Sequence, residues 1–233
     1  ILSGSISQAN VFGSGRFVAV NLNTSKINRN LGLSYTNPYF TVDGISQGFD
    51  VYSRRTDPES LGYAFTTTSF GGGVRLGIPI GEKQAISFGV GIDKTTVEID
   101  KTDPNTPSQY INFVNSFCDG DANCGSVSLP LTIAWSNDSK DSAISTTKGA
   151  YQRASLEISP GGDLKYYKAT YQHQRYFPVT RSMVLMLNGE LGYAKGLGGQ
   201  ELPFYKNLYA GGVGSVRGYE TASLGPYQDI NGN

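Results

Sequence analysis

Apolar and polar residues alternate along most of this chain, and this period of two is the feature that most restricts its fold. From Ala85 the chain reads AISFGVGID, with an apolar residue at every even position and Ser, Gly or Asp after it. The same alternation recurs in RFVAVNLN, FGGGVRLGIPI, SVSLPLTIAW and MVLMLNGELGYA. Successive side chains of a strand point to opposite faces, so each segment predicts a strand with one apolar face and one small or polar face.

The alternating segments predict about ten strands, and turns join each strand to the next. The predicted fold is therefore all-β, an antiparallel up-and-down meander. No helix is predicted, beyond at most one helical turn at 112–117 inside a loop. The predicted strands lie near 1–9, 16–26, 31–41, 45–55, 65–80, 85–99, 126–138, 150–159, 164–178 and 183–195.

The two faces of these strands differ in a way that is typical of an outer-membrane barrel. One face is aliphatic on every well-defined strand, whereas the other carries Gly, Ser, Thr and Asn with scattered charges. In such barrels the apolar face contacts lipid and the polar face lines the interior. An open sheet would leave unpaired backbone groups in lipid, so the strands are expected to belong to a transmembrane β-barrel that this chain forms incompletely.

The connections between the strands agree with this interpretation, because short and long ones alternate. Compact turns are predicted at 12–15, 42–44, 81–84 and 179–182, and long segments at 56–64, 100–125 and after Gly196. Short periplasmic turns and long external loops are the habit of outer-membrane barrels. The short turn 159–163 and the long link 139–149 are exceptions. The aromatic pairs Tyr39-Phe40 and Tyr176-Phe177 predict an aromatic girdle near the short turns.

Composition excludes several classes of function. Lysine plus arginine and aspartate plus glutamate both total 19, so the chain lacks the basic footprint of a nucleic-acid-binding protein. His173 is the only histidine, which excludes multi-histidine zinc sites, and a catalytic role for it is not expected. No run of apolar residues is long enough for a transmembrane helix. We expect no enzyme activity, no metal and no cofactor.

Three sequence blocks stand out beyond the alternation: YTNPYFTVDG at 35–44, KGLGGQELPFYKNLYAGG at 195–212 and GSVRGYE at 214–220. They resemble the BamA family, the barrel subunits of the bacterial machine that assembles outer-membrane proteins. The last block contains Val216, Arg217, Gly218 and Tyr219, which match the Val-Arg-Gly-Phe/Tyr signature of the sixth external loop in that superfamily. One departure is SAISTTKG at 142–149, where the family usually carries a Phe-Pro-Thr-x-Gly turn.

The resemblance implies a 16-stranded barrel preceded by soluble periplasmic domains. Its sixth loop folds back into the lumen, where the Arg-Gly pair anchors the loop against the wall. The resemblance therefore implies a structural role for Arg217 and Gly218 and no catalytic one. A guanidinium binds acidic or aromatic partners, and glycine permits the loop to approach the wall closely. The candidate lumenal acids are Asp50, Asp93 and Glu190. The family's own anchor lies on a later strand.

Aligned on these motifs, the chain is expected to be a partial barrel domain that starts at the second barrel strand. The sixth loop then begins near 196, and the first strand, the last strands and the periplasmic domains are missing. The implied function is assembly and insertion of other β-barrel proteins, with a weak seam between the first and last strands. Its partners would be unfolded outer-membrane proteins, accessory lipoproteins and membrane lipids. A two-partner secretion translocator and a passive porin are the alternatives.

Cys118 and Cys124 lie in the long external loop as FCDGDANC. An oxidising compartment favours a disulfide between them, and the chain-entropy relation gives it roughly 2 kcal/mol. A calcium site that uses Asp119 and Asp121 is the alternative, although the bidentate glutamate of an EF-hand loop is missing.

Overall fold

A computed structural model of the chain describes residues 2–25, 28–57, 65–99, 108–118, 123–180, 182–211, 216–219 and 224. Within them eleven strands form one sheet, and a single α-helix lies between the sixth and seventh strands. None of the described helices is long and apolar enough to cross a membrane. The elements are β1 (Ser3–Gln8), β2 (Phe17–Thr24), β3 (Asn28–Asn37), β4 (Ser46–Thr56), β5 (Phe65–Pro79), β6 (Gln84–Ile99), α1 (Ser108–Phe117), β7 (Asn123–Ser128), β8 (Leu131–Asp138), β9 (Gly149–Ser159), β10 (Tyr166–Pro178) and β11 (Val184–Gly196).

Every strand pairs antiparallel with its neighbour in sequence, except that β7 and β8 both pair with β6. The predicted antiparallel meander is therefore confirmed. The predicted single strand 126–138 is divided in two because Pro130 has no N–H to donate to the sheet. Its carbonyl still accepts from Gly91 N at 2.9 Å, and the register of β6 continues unbroken across the interruption. The sheet is open, since β1 and β11 pair with one neighbour each and not with each other.

The outer face of the sheet carries the predicted apolar rows. Side chains directly opposite each other in antiparallel strands share a face, so Val90 and Leu131 lie on one row and Leu156 and Ile133 on the next. These rows are exposed in the chain as it stands; for example, Ile92 is 55% and Leu191 is 72% exposed. Phe177 belongs to this face, but Tyr176 pairs with Gly149 on the inner face, so only half of that predicted aromatic pair can contact lipid.

The inner face curves around a cavity of about 520 Å³ that strands from β3 to β9 line together. Its lining includes Thr36, Gly48, Asp50, Arg75, Thr132 and Glu157. Glycines on neighbouring strands lie opposite each other here, as Gly73 and Gly91 do. A face of small and polar residues can bend inward in this way without filling the hollow with side chains.

A buried cluster covers one end of the inner face. Helix α1 contributes to this cluster and was not predicted as a helix. Its apolar residues fall at the i, i+3, i+4, i+7 positions of an amphipathic helix, namely Tyr110, Phe113, Val114 and Phe117. The cluster, called the capping cluster below, consists of Val97, Ile99, Tyr110, Phe113, Val114, Cys124, Leu164, Tyr166 and Phe204.

Candidate functional site at the capped end of the inner face

The capping cluster joins the segment after β11 to the barrel wall. Phe204, 1% exposed, stacks on Tyr110 with ring centroids 4.0 Å apart and meets Phe65 and Phe113 edge-on. Aromatic rings in these arrangements attract beyond their burial alone. The segment around Phe204 is therefore held inside the sheet, over the ends of β6 and β10.

An ion pair lies directly beneath this aromatic packing. Nζ of Lys206 is 3.6 Å from Oδ2 of Asp93, and these side chains are only 20% and 12% exposed. The same ammonium lies 5.1 Å from the centre of the Tyr166 ring. Asp93 also accepts a hydrogen bond from Thr95 Oγ1 at 3.3 Å. The lysine thus meets its carboxylate in a site that is largely shielded from water, where the attraction is stronger than at a surface.

Two tyrosines extend the network across the inner face. The Tyr166 hydroxyl donates to Glu157 Oε1 at 2.6 Å, and the Tyr205 hydroxyl lies 3.1 Å from Ser126 Oγ. Burial raises the pKa of Tyr205, so its hydroxyl stays neutral and can act as donor or acceptor. Ser126 itself donates to the carbonyl of Thr95 at 3.2 Å, which links the segment after β11 to β6 and β7.

The disulfide predicted between Cys118 and Cys124 is present, and it connects the end of α1 to the start of β7. Cys124 is 1% exposed and belongs to the capping cluster. Since the two sulfur atoms are bonded to each other, they are not available to a metal. Asp119 and Asp121, the other members of the alternative calcium site, lie outside the described residues.

The three candidate lumenal acids all lie on the inner face, but in different surroundings. Asp50 Oδ2 is 3.0 Å from Arg75 Nη2, and Asp93 is occupied by Lys206. Glu190 lies opposite Gln172 and is exposed, and among the described residues it has no ion pair. Two of these acids therefore already have cationic partners from this chain's own strands and loop.

The Val216–Tyr219 motif lies in a segment whose two ends are joined. Ala210 and Leu224 form an antiparallel bridge, with N–O distances of 2.6 and 2.9 Å. Arg217 is exposed and contacts no acid within the described part of the chain. A Cβ on Gly218 would meet nothing within 4 Å, but its φ is +92°. The positive φ alone requires glycine at this position.

The sequence interpretation did not identify Lys206, Phe204 or Tyr166 as site residues. The signal available was a lysine inside the aromatic run PFYKNLY, which is an unusual place for a charge. Its partner Asp93 was recognised as an inner-face acid, but alternation alone cannot show which cation reaches it.

Comparisons with known proteins agree with the geometry. The sequence profile of the Omp85 superfamily domain matches residues 10–233. A curated relative from Neisseria meningitidis serogroup B, named outer membrane protein assembly factor BamA, is 38% identical over 97% of this chain and 29% of its own length. A protein of the same name from Nitratidesulfovibrio vulgaris is 25% identical over 100% of this chain and 28% of its own length.

Solved structures give the same result. The crystal structure of BamA from Haemophilus ducreyi lacking POTRA domains 1–3 superposes with a TM-score of 0.84 and 29% identity, covering 96% of this chain and 44% of that one. The chain spans less than a third of the length of these curated relatives. The profile match covers nearly the whole chain, and the meander and inner loop agree with it. The chain therefore belongs to the Omp85 superfamily, and its strands lie in the bacterial outer membrane.

Proposed function

We propose that this chain is the larger part of the barrel domain of an insertase, a protein that folds other β-barrel proteins into the outer membrane. The 38% identity over 97% of the chain to a protein named as an outer-membrane protein assembly factor is the observation that carries this proposal. The role is non-enzymatic, because it requires strand pairing and lipid perturbation but no covalent step and no cofactor.

The proposed mechanism works through the edges of the sheet. In the complete barrel the first and last strands form a weak seam, and unpaired backbone at such an edge can template an incoming strand. A thin apolar rim beside the seam lowers the cost of inserting that strand into the bilayer. The substrates are unfolded outer-membrane proteins, and accessory lipoproteins and membrane lipids are the further partners.

Within this mechanism, the segment after Gly196 is the sixth external loop, and Val216, Arg217, Gly218 and Tyr219 are its anchor. The bridge between Ala210 and Leu224 supports the assignment because it joins the two ends of the segment that contains these four residues. Asp50 and Asp93 are already paired, Glu190 is exposed without an ion pair among the described residues, and the anchor of the family lies on a later strand; we therefore propose that Arg217 takes its partner from a strand outside this chain. The inner-face acids then serve to balance Arg75 and Lys206.

A passive porin is less consistent with the structure. A steady channel requires an open hollow, whereas Phe204, Tyr110 and Phe113 pack tightly across one end of the inner face. A two-partner secretion translocator would share the loop motif, but both curated relatives described above are named as assembly factors. The assembly role therefore has the better support.

Depletion of the full-length protein in its own bacterium tests the proposal. We expect other outer-membrane barrels to fall in abundance and their unfolded forms to accumulate in the periplasm. Complementation with Arg217→Ala should restore barrel levels less well than wild type, whereas Arg16→Ala, an exposed arginine in a turn at the other end, should restore them fully. Unchanged barrel levels after depletion would refute the insertase role.

A further inference from the structure

The outer face of β8–β11 carries an arginine with no acidic neighbour. Arg175 lies opposite Ala150 on β9 and Leu187 on β11. The carboxylates of these four strands are Asp138, Glu157 and Glu190, and the pairing register puts all three on the inner face. A guanidinium stays charged in a protein, and the exposed Arg175 has no carboxylate on the outer face of these four strands to balance it.

The position of Arg175 along its strand corresponds to a membrane boundary. Lys195, opposite Tyr167, is the other cation on this outer face, eight residues away in the register. At about 3.3 Å per residue, with the usual strand tilt, the two cations are roughly 20 Å apart along the membrane normal. That spacing is close to the height of the apolar band of such barrels. Arg175 marks the boundary at the end of the short turns, which is the periplasmic end in the expected orientation.

The direction of the arginine side chain agrees with this position. Its guanidinium lies 5.1 Å from the centre of the Phe177 ring, two residues nearer the turn. The side chain therefore extends away from the middle of the apolar band and toward the headgroups, as long cationic side chains do at membrane surfaces.

His173 lies on the same face, two residues closer to the middle of the apolar band than Arg175. Its Nδ1 lies 3.1 Å from Gln152 Nε2. Since the guanidinium of Arg175 extends the other way, toward Phe177, His173 is not part of the site.

We propose that Arg175 binds the phosphate of a phospholipid in the leaflet next to the β10–β11 turn. The guanidinium supplies a forked, charged donor that suits a phosphate. The neighbouring Leu187 and Phe177, 54% and 38% exposed, lie beside the acyl chains. The site depends on the membrane location of the sheet and not on the assembly role.

Lipid retention by the full-length protein tests this site. The purified protein would be titrated with phosphatidylglycerol in mild detergent, and the bound lipid counted by native mass spectrometry. Arg175→Gln should weaken the tightest phosphatidylglycerol step about tenfold, the effect of one lost charge-assisted contact. Arg175→Lys keeps the charge and should lose less. The matched control is Arg153→Gln, which removes an arginine from the inner face of adjacent β9 and should change nothing.

Each contrary result would overturn the proposal. Equal retention by Arg175→Gln and wild type would show that the arginine holds no lipid, and equal loss in Arg153→Gln would show only a general charge effect. Binding of inorganic phosphate alone as tightly as phosphatidylglycerol would show that the acyl chains contribute nothing, and would identify a site for a free anion instead. Each variant is first run on a gel with and without heating. A folded band that shifts on heating as the wild-type band does confirms that the variant is folded.

Discussion

Lys206 Nζ lies 3.6 Å from Asp93 Oδ2, so the loop that follows the last strand is ionically bound to the inner face of β6. The pair is mostly buried, and its ammonium lies against the Tyr166 ring. Removing one partner of a buried pair leaves an uncompensated charge. The pair therefore contributes to holding this loop against the inner face of β6.

Charge reversal tests this role. In the full-length protein, Asp93→Lys or Lys206→Asp alone should release the loop and raise the open fraction in planar bilayers by about tenfold, corresponding to a charged contact of about 1.5 kcal/mol. The double variant restores an opposite pair and should return the conductance toward wild type. The same exchange at Asp50 and Arg75, a pair that does not touch the loop, should not open the channel. Unchanged conductance in both single variants would show that the pair does not hold the loop.

The disulfide between Cys118 and Cys124 should stabilise α1 rather than the sheet. Replacing both cysteines by serine removes a constraint worth roughly 2 kcal/mol, which corresponds to about 30-fold faster exchange of the α1 amides. Hydrogen exchange measured by mass spectrometry on the full-length protein checks this. Reductant should have the same effect on wild type and none on the double serine variant. Equal exchange of α1 in the oxidised and reduced proteins would contradict the prediction.

Alternation predicted the strands well because each strand has one lipid-facing and one inner face. The segment predicted at 85–99 is β6, Gln84–Ile99, and the segment predicted at 183–195 is β11, Val184–Gly196. Both faces of these strands have a clear preferred environment, so a shift by one residue would expose Asp93 or Glu190 to lipid. Period and register are therefore readable from the sequence alone.

Helix α1 and the ion pair between Lys206 and Asp93 could not be predicted from alternation. A ten-residue helix is only marginally stable by itself, and α1 exists because Tyr110 and Phe113 pack against Phe204, far away in sequence. Similarly, Asp93 was identifiable as an inner-face acid, but its partner Lys206 follows five further strands. Contacts that depend on how a loop folds back onto the sheet leave no periodic pattern in the sequence from which they could be predicted.

Gly149 should be among the least replaceable glycines of the chain. It begins β9 with a φ of +111°, and a Cβ there would collide with the carbonyl oxygen of Ser139. Gly149→Ala is expected to destabilise the protein by about 1–3 kcal/mol. Gly189→Ala is the control, because a Cβ on that glycine would meet nothing within 4 Å. The temperature at which the folded gel band disappears measures both effects, and equal temperatures for the two variants would contradict the prediction.

Asp141 should give the 139–149 link a marked acid sensitivity. Its Oδ1 accepts from the backbone N–H groups of Thr147 at 2.9 Å and Lys148 at 3.2 Å, and its Oδ2 accepts from the Thr147 hydroxyl. These hydrogen bonds, the one from the Thr147 side chain first, lower the pKa of Asp141 from 3.8 to about 2. A lowered pKa means that the carboxylate stabilises the folded link at pH values above about 4, and that this contribution is lost as the pH falls through about 2.

The Thr147 and Lys148 amide resonances of the full-length protein should therefore titrate with an inflection near pH 2, well below that of an unperturbed aspartate. Asp141→Asn keeps an acceptor for the backbone N–H groups but has no proton to gain, so the same two resonances should stay flat over this range. The comparison separates titration of Asp141 from any wider acid effect, since a wider effect would move them in both proteins. An inflection near pH 4 in the wild type would show that the carboxylate is not held by Thr147 in solution.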